Sequence, residues 1–404
     1  MKRIKEEKQT NQEKKKIFTL KETLIISCVS CIITFVTVGL LVYSSYEKTA
    51  GISYNKLSDD KNLQEFLEVY SSVTEDYYED IDKKELLTVA MDAMLEYLGE
   101  DYTTYLNESE NVMINNQLNG KYIGIGISIK KDNTISNVFK NSPAMRAGLQ
   151  KDDKILKIDG QEFAEDNTEE IVKYIKSKKD NTIELTVTRD EEIIVVELTP
   201  TSLDVPAATF TTIEKDDKKI AYLSISTFSK TVFEDVQDCL DKIKKENVSS
   251  LIVDLRNNTG GYLNSAKNVA NLFLEKDKII FSMKTKDKSV VYKDETTEKL
   301  EYPIIVLING NTASAAEILT AALKESYGAT LVGEKSYGKG KVQQLMNLSD
   351  GNAVKYTTAK WYTPSNVCID KEGITPDYEI ENEYNEETKV YKDKQLEKAI
   401  EIAK

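Results

Sequence analysis

Ser314 and Lys339 are the residues of this sequence whose settings could support nucleophilic chemistry. Ser314 lies in IVLINGNTASAAE (305–317), a strand-like run that turns into a helix-like one, at the place where the helix should begin. Backbone N–H groups at such a start are unpaired and point at anions. Ser314-Ala315-Ala316-Glu317 also reads as an ordinary capping box, so this segment alone does not separate a cap from a nucleophile. Lys339 sits in GEKSYGKGKVQQL (333–345), between Gly338 and Gly340. A serine hydroxyl is too weakly acidic to attack unaided, and a lysine can serve as its base where burial lowers the amine's pKa. Gln343 could hold the orientation of that amine. A solvated lysine in a glycine turn is the plainer alternative. The chain has 404 residues and no histidine. That removes Ser-His-Asp and Cys-His catalysis together with every imidazole-ligated metal centre.

Two other motifs overlap the lysine segment. Gly333 to Lys339 fits G-x-x-x-x-G-K, but position 340 is glycine rather than a Mg²⁺-binding hydroxyl, and KVQQL reads as a strand where a phosphate loop needs a helix. Ser336-Tyr337-Gly338-Lys339 fits S-x-x-K, without the K-T-G or S-D-N partners of penicillin-recognising enzymes.

The elements that must position these residues follow from the apolar periodicity. From 202 onward, buried-type strands alternate with helices: KIAYLSIS (219–226), a helix near 231–246, SLIVDL (250–255), a helix near 262–275, IIVLIN (304–309), a helix over 314–326, ATLVG (329–333), then strands near 341–347 and 353–361. Such alternation predicts an α/β sheet covered on both faces, with active-site turns at the carboxyl ends of its strands. IVDLRNNTGGYL (252–263) supplies a second such turn beside that of Ser314. Residues 112–200 have a different period, strand-rich with two helices. YIGIGISI (122–129), TISNVF (134–139), DKILKI (153–158), TIELTVTR (182–189) and IIVVEL (193–198) are its predicted strands. Before it, Leu63, Phe66, Leu67, Tyr70 and Val73 recur at helical spacing, and Asp82 with Glu85 signals a second helix.

The N-terminus is of another kind. Leu24 to Tyr43 is an uncharged run, about the length that spans a bilayer as a helix, preceded by eight Lys/Arg and four Glu. Positive-inside bias predicts a single-pass anchor in the cell membrane, with residues 1–23 cytoplasmic and 44–404 outside. The formal net charge of −14 argues against nucleic acid as a partner. Cys28 and Cys31 lie inside the apolar run, which leaves Cys239 and Cys368 as free thiols or one bridge, too few for a disulfide scaffold.

From about residue 60 to 380 the sequence resembles the carboxyl-terminal processing peptidases, or tail-specific proteases: serine–lysine enzymes that carry a PDZ domain. LGEDYTTYL (98–106) is similar to their helical lead-in, YIGIGI (122–127) to a PDZ carboxylate-binding loop, and SPAMRAGLQKDDKILKIDG (142–160) to their PDZ core. DLRNNTGG (254–261), NTASAAEI (311–318), GKGKVQ (338–343) and YTPSNVCIDKEGITPD (362–377) resemble their glycine turn, nucleophile, lysine–glutamine and closing segments. Asp152-Asp153 and Asn366-Val367 depart from a commoner Gly-Asp and Gly-Arg. The resemblance implies Ser314 as nucleophile, Lys339 as general base and Gln343 as its positioner, at the family's spacing of 25 and 29 residues after the serine.

On that basis the expected fold is an α/β (α+β) multidomain chain: tail 1–23, membrane helix 24–43, linker 44–60, helical segment 61–111, PDZ domain 112–200, protease core with a mixed sheet 201–385, and C-terminal helix 386–404. The expected oxyanion donors are Ala315 with Gly260 or Gly261, and Tyr122, Ile123, Gly124, Ile125 and Gly126 would bind the peptide. No metal or cofactor is expected. The expected partners are protein or peptide substrates with free C-terminal tails, the membrane, and a second copy of the chain. The competing expectation is a catalytically silent PDZ scaffold in the cell envelope.

Overall fold

The computed structural model describes residues 60–130, 132–165, 168–296, 300–385 and 390–403. The expected membrane helix, the tail before it and Cys28 and Cys31 lie outside the described residues. Among the described residues no helix is long and apolar enough to cross a membrane.

The chain divides into two compact units, the first ending at Ala90. In the first, helix Lys61–Asp76 starts where the Asp60 carboxylate accepts from the N–H groups of Asn62 and Leu63 at 3.0 and 3.3 Å. Helix Lys83–Glu96 starts in the same way, with Asp82 accepting from Lys84 and Glu85 at 2.8 and 3.1 Å. Local capping chemistry thus sets both starts.

The second unit holds the PDZ-like module and the α/β core. In the module, the predicted run 122–129 is broken. Lys121–Gly124 pairs antiparallel with Thr201–Asp204, whereas Ile127–Ile129 pairs with Ile135–Val138. The break is at Gly126, whose φ is +84° and whose added Cβ would lie 2.1 Å from the Ser142 Cβ. Because Thr201–Asp204 closes the module, its β structure extends past residue 200. A four-stranded antiparallel sheet in the order Gln161–Glu162, Lys154–Ile158, Ile183–Arg189, Glu192–Leu198 completes it with helix Thr168–Ser177. Their alternate residues meet in one core that includes Ile135, Ile158, Ile171, Ile183 and Leu185. Ahead of the module, helix Glu108–Leu118 begins with a full capping box between Asn107 and Glu110 and runs across the 111/112 division expected from sequence.

The core sheet has six strands in sequence order: β1 (Ala208–Lys215), β2 (Lys218–Ile225), β3 (Ser250–Asp254), β4 (Ile304–Ile308), β5 (Thr330–Gly333) and β6 (Tyr378–Glu379). The β1–β2 pair is antiparallel and all others are parallel, so the sheet is mixed as expected. Alternate side chains serve the two faces. Leu223, Val253, Val306 and Leu331 pack under helices α1 (Val232–Ile243), α2 (Leu263–Ala270) and α3 (Ala315–Ala321), while Ile220, Ile252, Ile305, Leu307 and Val332 pack under α4 (Lys394–Ile402). Burial on both sides explains why β3 and β4 read as unbroken apolar runs. α3 gives way to a π-helical turn over Ala322–Tyr327, where an ordinary helix to 326 was expected.

A second, antiparallel sheet was only partly legible. Ala353–Tyr362 pairs along its length with Lys341–Asn347, and its ends pair with Thr104–Leu106 and Ile279–Thr285, which in turn pairs with Ser289–Lys293. This sheet brings the lead-in segment and the lysine segment to the same wall.

Candidate active site

Ser314 stands between β4 and α3 with φ 55° and ψ −118°, a conformation that only glycine takes without strain. The turn is tight enough that Gly260, at φ +100°, lies directly against it. A Cβ on Gly260 would come within 2.8 Å of the Ala313 carbonyl and 2.9 Å of the Ser314 Cβ. Thus the two strand-to-helix turns singled out in the sequence, after β3 and after β4, meet at the serine.

One buried carboxylate joins the serine turn to the lysine loop. Glu317, fully buried in the first turn of α3, accepts from the Ser314 N–H at 2.8 Å and the Lys339 N–H at 2.9 Å through Oε2. Its Oε1 accepts from the Ser336 hydroxyl at 2.6 Å and the Gly338 N–H at 2.7 Å. The capping-box reading of Glu317 was therefore correct for its bond to Ser314 but missed the other three donors, which lie 19 to 22 residues away. Burial pushes the Glu317 carboxyl above its ordinary pKa, and the four donors pull the other way. Trp361, the only tryptophan and 1% exposed, donates its indole N–H to the Lys339 carbonyl at 2.8 Å. The Ser336 hydroxyl also accepts from the Ile374 N–H at 2.7 Å, so the closing segment is fastened to the same loop.

Ser314, Lys339 and Gln343 all line one cleft of about 270 Å³, together with Thr259, Gly261 and Lys355. Apolar side chains, among them Ile114, Leu118, Leu263, Ile318 and Val342, form much of its wall. Desolvation is the main cause that holds the Lys339 amine below the usual lysine range, with the charge of Lys355 acting in the same direction. Glu317 and Glu100 oppose them. The ammonium also lies 4.9 Å from the centre of the Tyr102 ring, a contact that favours the protonated amine. Gln343 donates its amide to the Thr357 hydroxyl at 3.3 Å. Among the described residues no group of His, Cys, Asp and Glu is arranged to hold a metal ion.

The expected oxyanion glycines differ in their commitments. The Gly260 N–H is donated to Asn258 Oδ1 at 2.9 Å, while Gly261 is the one that lines the cleft. Tyr122, Ile123, Gly124, Ile125 and Gly126 all line a separate cavity of about 340 Å³ in the PDZ-like module, against Phe139, Val172, Ile175 and Leu203. Both departures from the commoner family pattern fall on left-handed residues, Asp152 at φ 74° and Asn366 at φ 61°. Asp and Asn are the non-glycine types that tolerate that region. Cys239 and Cys368 are free thiols.

The roles of Glu100, Tyr102, Lys355 and Thr357 were invisible in the sequence. Lys355 lines the cleft, Tyr102 lies against Lys339, and Glu100 bonds Thr357 beside Gln343; the pairings of Thr104 with Lys355 and of Gln343 with Thr357 hold these segments together, and no local signal reveals them.

An α/β core with a PDZ-like module before it, and a strained serine and a half-buried lysine lining one cleft, is a peptidase architecture. Comparisons with known proteins narrow it. Residues 219–380 match the profile described as Peptidase family S41, residues 134–189 match the PDZ domain, and residues 29–110 match the activating protease CtpB N-terminal domain. A protein of Staphylococcus aureus (strain COL) named as a CtpA-like serine protease is 31% identical over 365 residues, 89% of this chain and 71% of that one. A protein of the same name from Staphylococcus saprophyticus is 29% identical over 388 residues, 93% of this chain and 77% of that one. The solved photosystem II D1 C-terminal processing protease shares the fold with a TM-score of 0.50 at 24% identity, over 80% of this chain and 88% of its own. An S41 protease from Bacteroides fragilis does so with a TM-score of 0.54 at 18% identity, over 81% and 90%. The chain belongs to peptidase family S41, as a serine-type endopeptidase that carries a PDZ domain and acts on peptide or protein substrates.

Proposed function

We propose that the protein cleaves substrates captured by their C-terminal tails, with Ser314 as nucleophile, Lys339 as general base and Gln343 as the positioner of the lysine. The observation that carries the reading is the buried Glu317, which binds the Ser314 turn and the Lys339 loop at once, so that both side chains line one cleft. Neutral Lys339 takes the Ser314 hydroxyl proton as Oγ attacks the scissile carbonyl. The oxyanion is held by the N–H groups of Ala315 and Gly261, at the positive end of α3, because the Gly260 N–H is already committed. Protonated Lys339, resting beside the Tyr102 ring, then gives its proton to the leaving amine. Water, deprotonated by the same lysine, hydrolyses the Ser314 ester.

The tail-binding step belongs to the cavity at Tyr122–Gly126, where a substrate tail adds as a strand and its carboxylate meets the glycine loop. Residues 24–43 anchor the chain as a single span, with the catalytic part outside the cell, and a homodimer is part of the same reading. The test incubates the protein with a peptide of free apolar C-terminus and with its amidated form, for wild type, Ser314→Ala and Lys339→Ala, with products read by mass. Cleavage by wild type alone, weaker on the amide, is the expected result. Cleavage by Ser314→Ala would overturn the nucleophile, and equal cleavage of acid and amide would overturn tail reading.

A further inference from the structure

The lead-in segment reaches the catalytic cleft through a chain of hydrogen bonds whose direction is fixed at one end. Glu100, with a side chain 13% exposed, accepts from the Thr357 hydroxyl at 2.7 Å through Oε1 and from the Lys341 ammonium at 3.0 Å through Oε2. Thr103 donates to the same Oε1. An ionised carboxylate can only accept, so the single hydroxyl proton of Thr357 is spent on Glu100. What remains on Thr357 Oγ1 is acceptor capacity, and Gln343 meets it with its amide NH₂ at 3.3 Å. An amide that turns its NH₂ to Thr357 turns its carbonyl oxygen the other way. Hydrogen positions on threonine and the two ends of a glutamine amide are settled by such networks. Here the network has one consistent solution. The Glu100 carboxyl is itself held below its usual range by its bonds to Thr103, Thr357 and Lys341, although burial acts against them. The carboxylate thus keeps its accepting role over the pH range in which Lys339 titrates.

We propose that Glu100 is a positioning residue for the Ser314–Lys339 reaction: through Thr357 it fixes Gln343 with its carbonyl oxygen presented to the cleft that Lys339 lines. A carbonyl there can accept one N–H of the lysine amine but cannot donate to its lone pair. That leaves the lone pair for the Ser314 hydroxyl and steadies the ammonium that forms. The inference rests on the proposed roles of Ser314, Lys339 and Gln343.

Glu100→Gln tests it at constant shape. Lys341 can only donate, so the new amide turns its oxygen to Lys341 and its NH₂ to Thr357. The Thr357 hydroxyl then donates to Gln343, whose amide reverses and points an N–H at Lys339. For peptide cleavage by the full-length protein, kcat falls about tenfold or more while KM stays within about twofold. The limb of the pH profile on which Lys339 loses its proton moves to lower pH, because an N–H now faces the ammonium. Thr357→Val lowers kcat by breaking the same chain, and Thr357→Ser, which keeps the hydroxyl, recovers most of that loss. Combined with Gln343→Ala, Glu100→Gln costs nothing further. Wild-type kcat and pH profile in both Glu100→Gln and Thr357→Val would overturn the inference, as would losses that multiply in the double variant. Ser314→Ala runs alongside. If it is inactive while Glu100→Gln is fully active, only this inference fails; if it still cleaves, the serine–lysine reading fails and the inference with it.

Discussion

Replacing Glu317 with Gln should damage stability and catalysis together, and the structure gives the size. The carboxylate receives four donors, the N–H groups of Ser314, Gly338 and Lys339 and the hydroxyl of Ser336, at 2.6 to 2.9 Å. Three of these are backbone groups that cannot reverse. The fourth is the Ser336 hydroxyl, which accepts from the Ile374 N–H and keeps a second lone pair, so it can turn and accept from an amide. A glutamine with its NH₂ in place of Oε1 therefore opposes the Gly338 N–H alone, whereas the reversed amide opposes the N–H groups of both Ser314 and Lys339. Hydrogen bonds to a buried charge contribute about 1.5–3 kcal/mol each, so the orientation that loses one costs about that much. The loss falls on the connection between the serine turn and the lysine loop, and therefore on kcat more than on tail binding by the PDZ domain. Urea unfolding of wild type and Glu317→Gln measures the first effect; peptide cleavage beside tail-peptide binding measures the second. A variant within about 0.5 kcal/mol of wild type, or one that loses tail binding and cleavage in equal proportion, would refute the account of Glu317 as the joint.

Three other outcomes are expected. Burial holds the Lys339 amine below its ordinary pKa of 10.5, so the folded state binds fewer protons than the unfolded state between its own pKa and 10.5, and stability rises with pH across that window. Lys339→Met should lack this rise and be the more stable protein at neutral pH, with the gap closing as pH approaches 10.5, while wild-type cleavage climbs over the lower part of the same window; parallel stability curves for the two proteins would count against a charge-burial penalty. Ser314→Gly and Ser314→Ala should both be inactive, but the glycine variant should be the more stable by about 1 kcal/mol, since it relieves the strain of φ 55° at some cost in chain entropy; equal unfolding midpoints would mean the turn is not strained. Gly126→Ala, whose Cβ would fall 2.1 Å from the Ser142 Cβ, should weaken binding of free-tailed peptides and raise KM with little change in kcat, and unchanged KM would place tail binding elsewhere.

How far the sequence reached differs from element to element. The start of the helix at Lys83 was legible because Asp82 caps it from a few residues away, whereas the helix at Lys61, capped by Asp60, was read from its apolar spacing. β3 and β4 were legible because a strand buried on both faces must be apolar throughout. The hairpin Ile279–Thr285 with Ser289–Lys293 was not, since its lysines and serines give no alternation to read and it is held by pairing to Ala353–Tyr362. YIGIGISI read as one strand, and only the contact of Gly126 with Ser142 shows why it must bend.

The site divides along the same line. Ser314 was suspect because a helix start is a local event, and the absence of histidine, a property of composition alone, pointed to a lysine base. The resemblance of the chain's motifs, in order, to those of the tail-specific proteases then singled out Lys339 and Gln343. Tertiary structure decided the rest: that Gly260 spends its N–H on Asn258 while Gly261 faces the cleft, that Glu317 binds three donors beyond its own helix, and that Glu100 reaches Gln343 through Thr357. Capping, periodicity and turn chemistry act over a few residues and leave their mark in the chain order. The desolvation of Lys339 and the direction of a hydrogen-bond chain depend on which segments fold against each other, 241 residues apart for Glu100 and Lys341, and so exist only once the sheets are assembled.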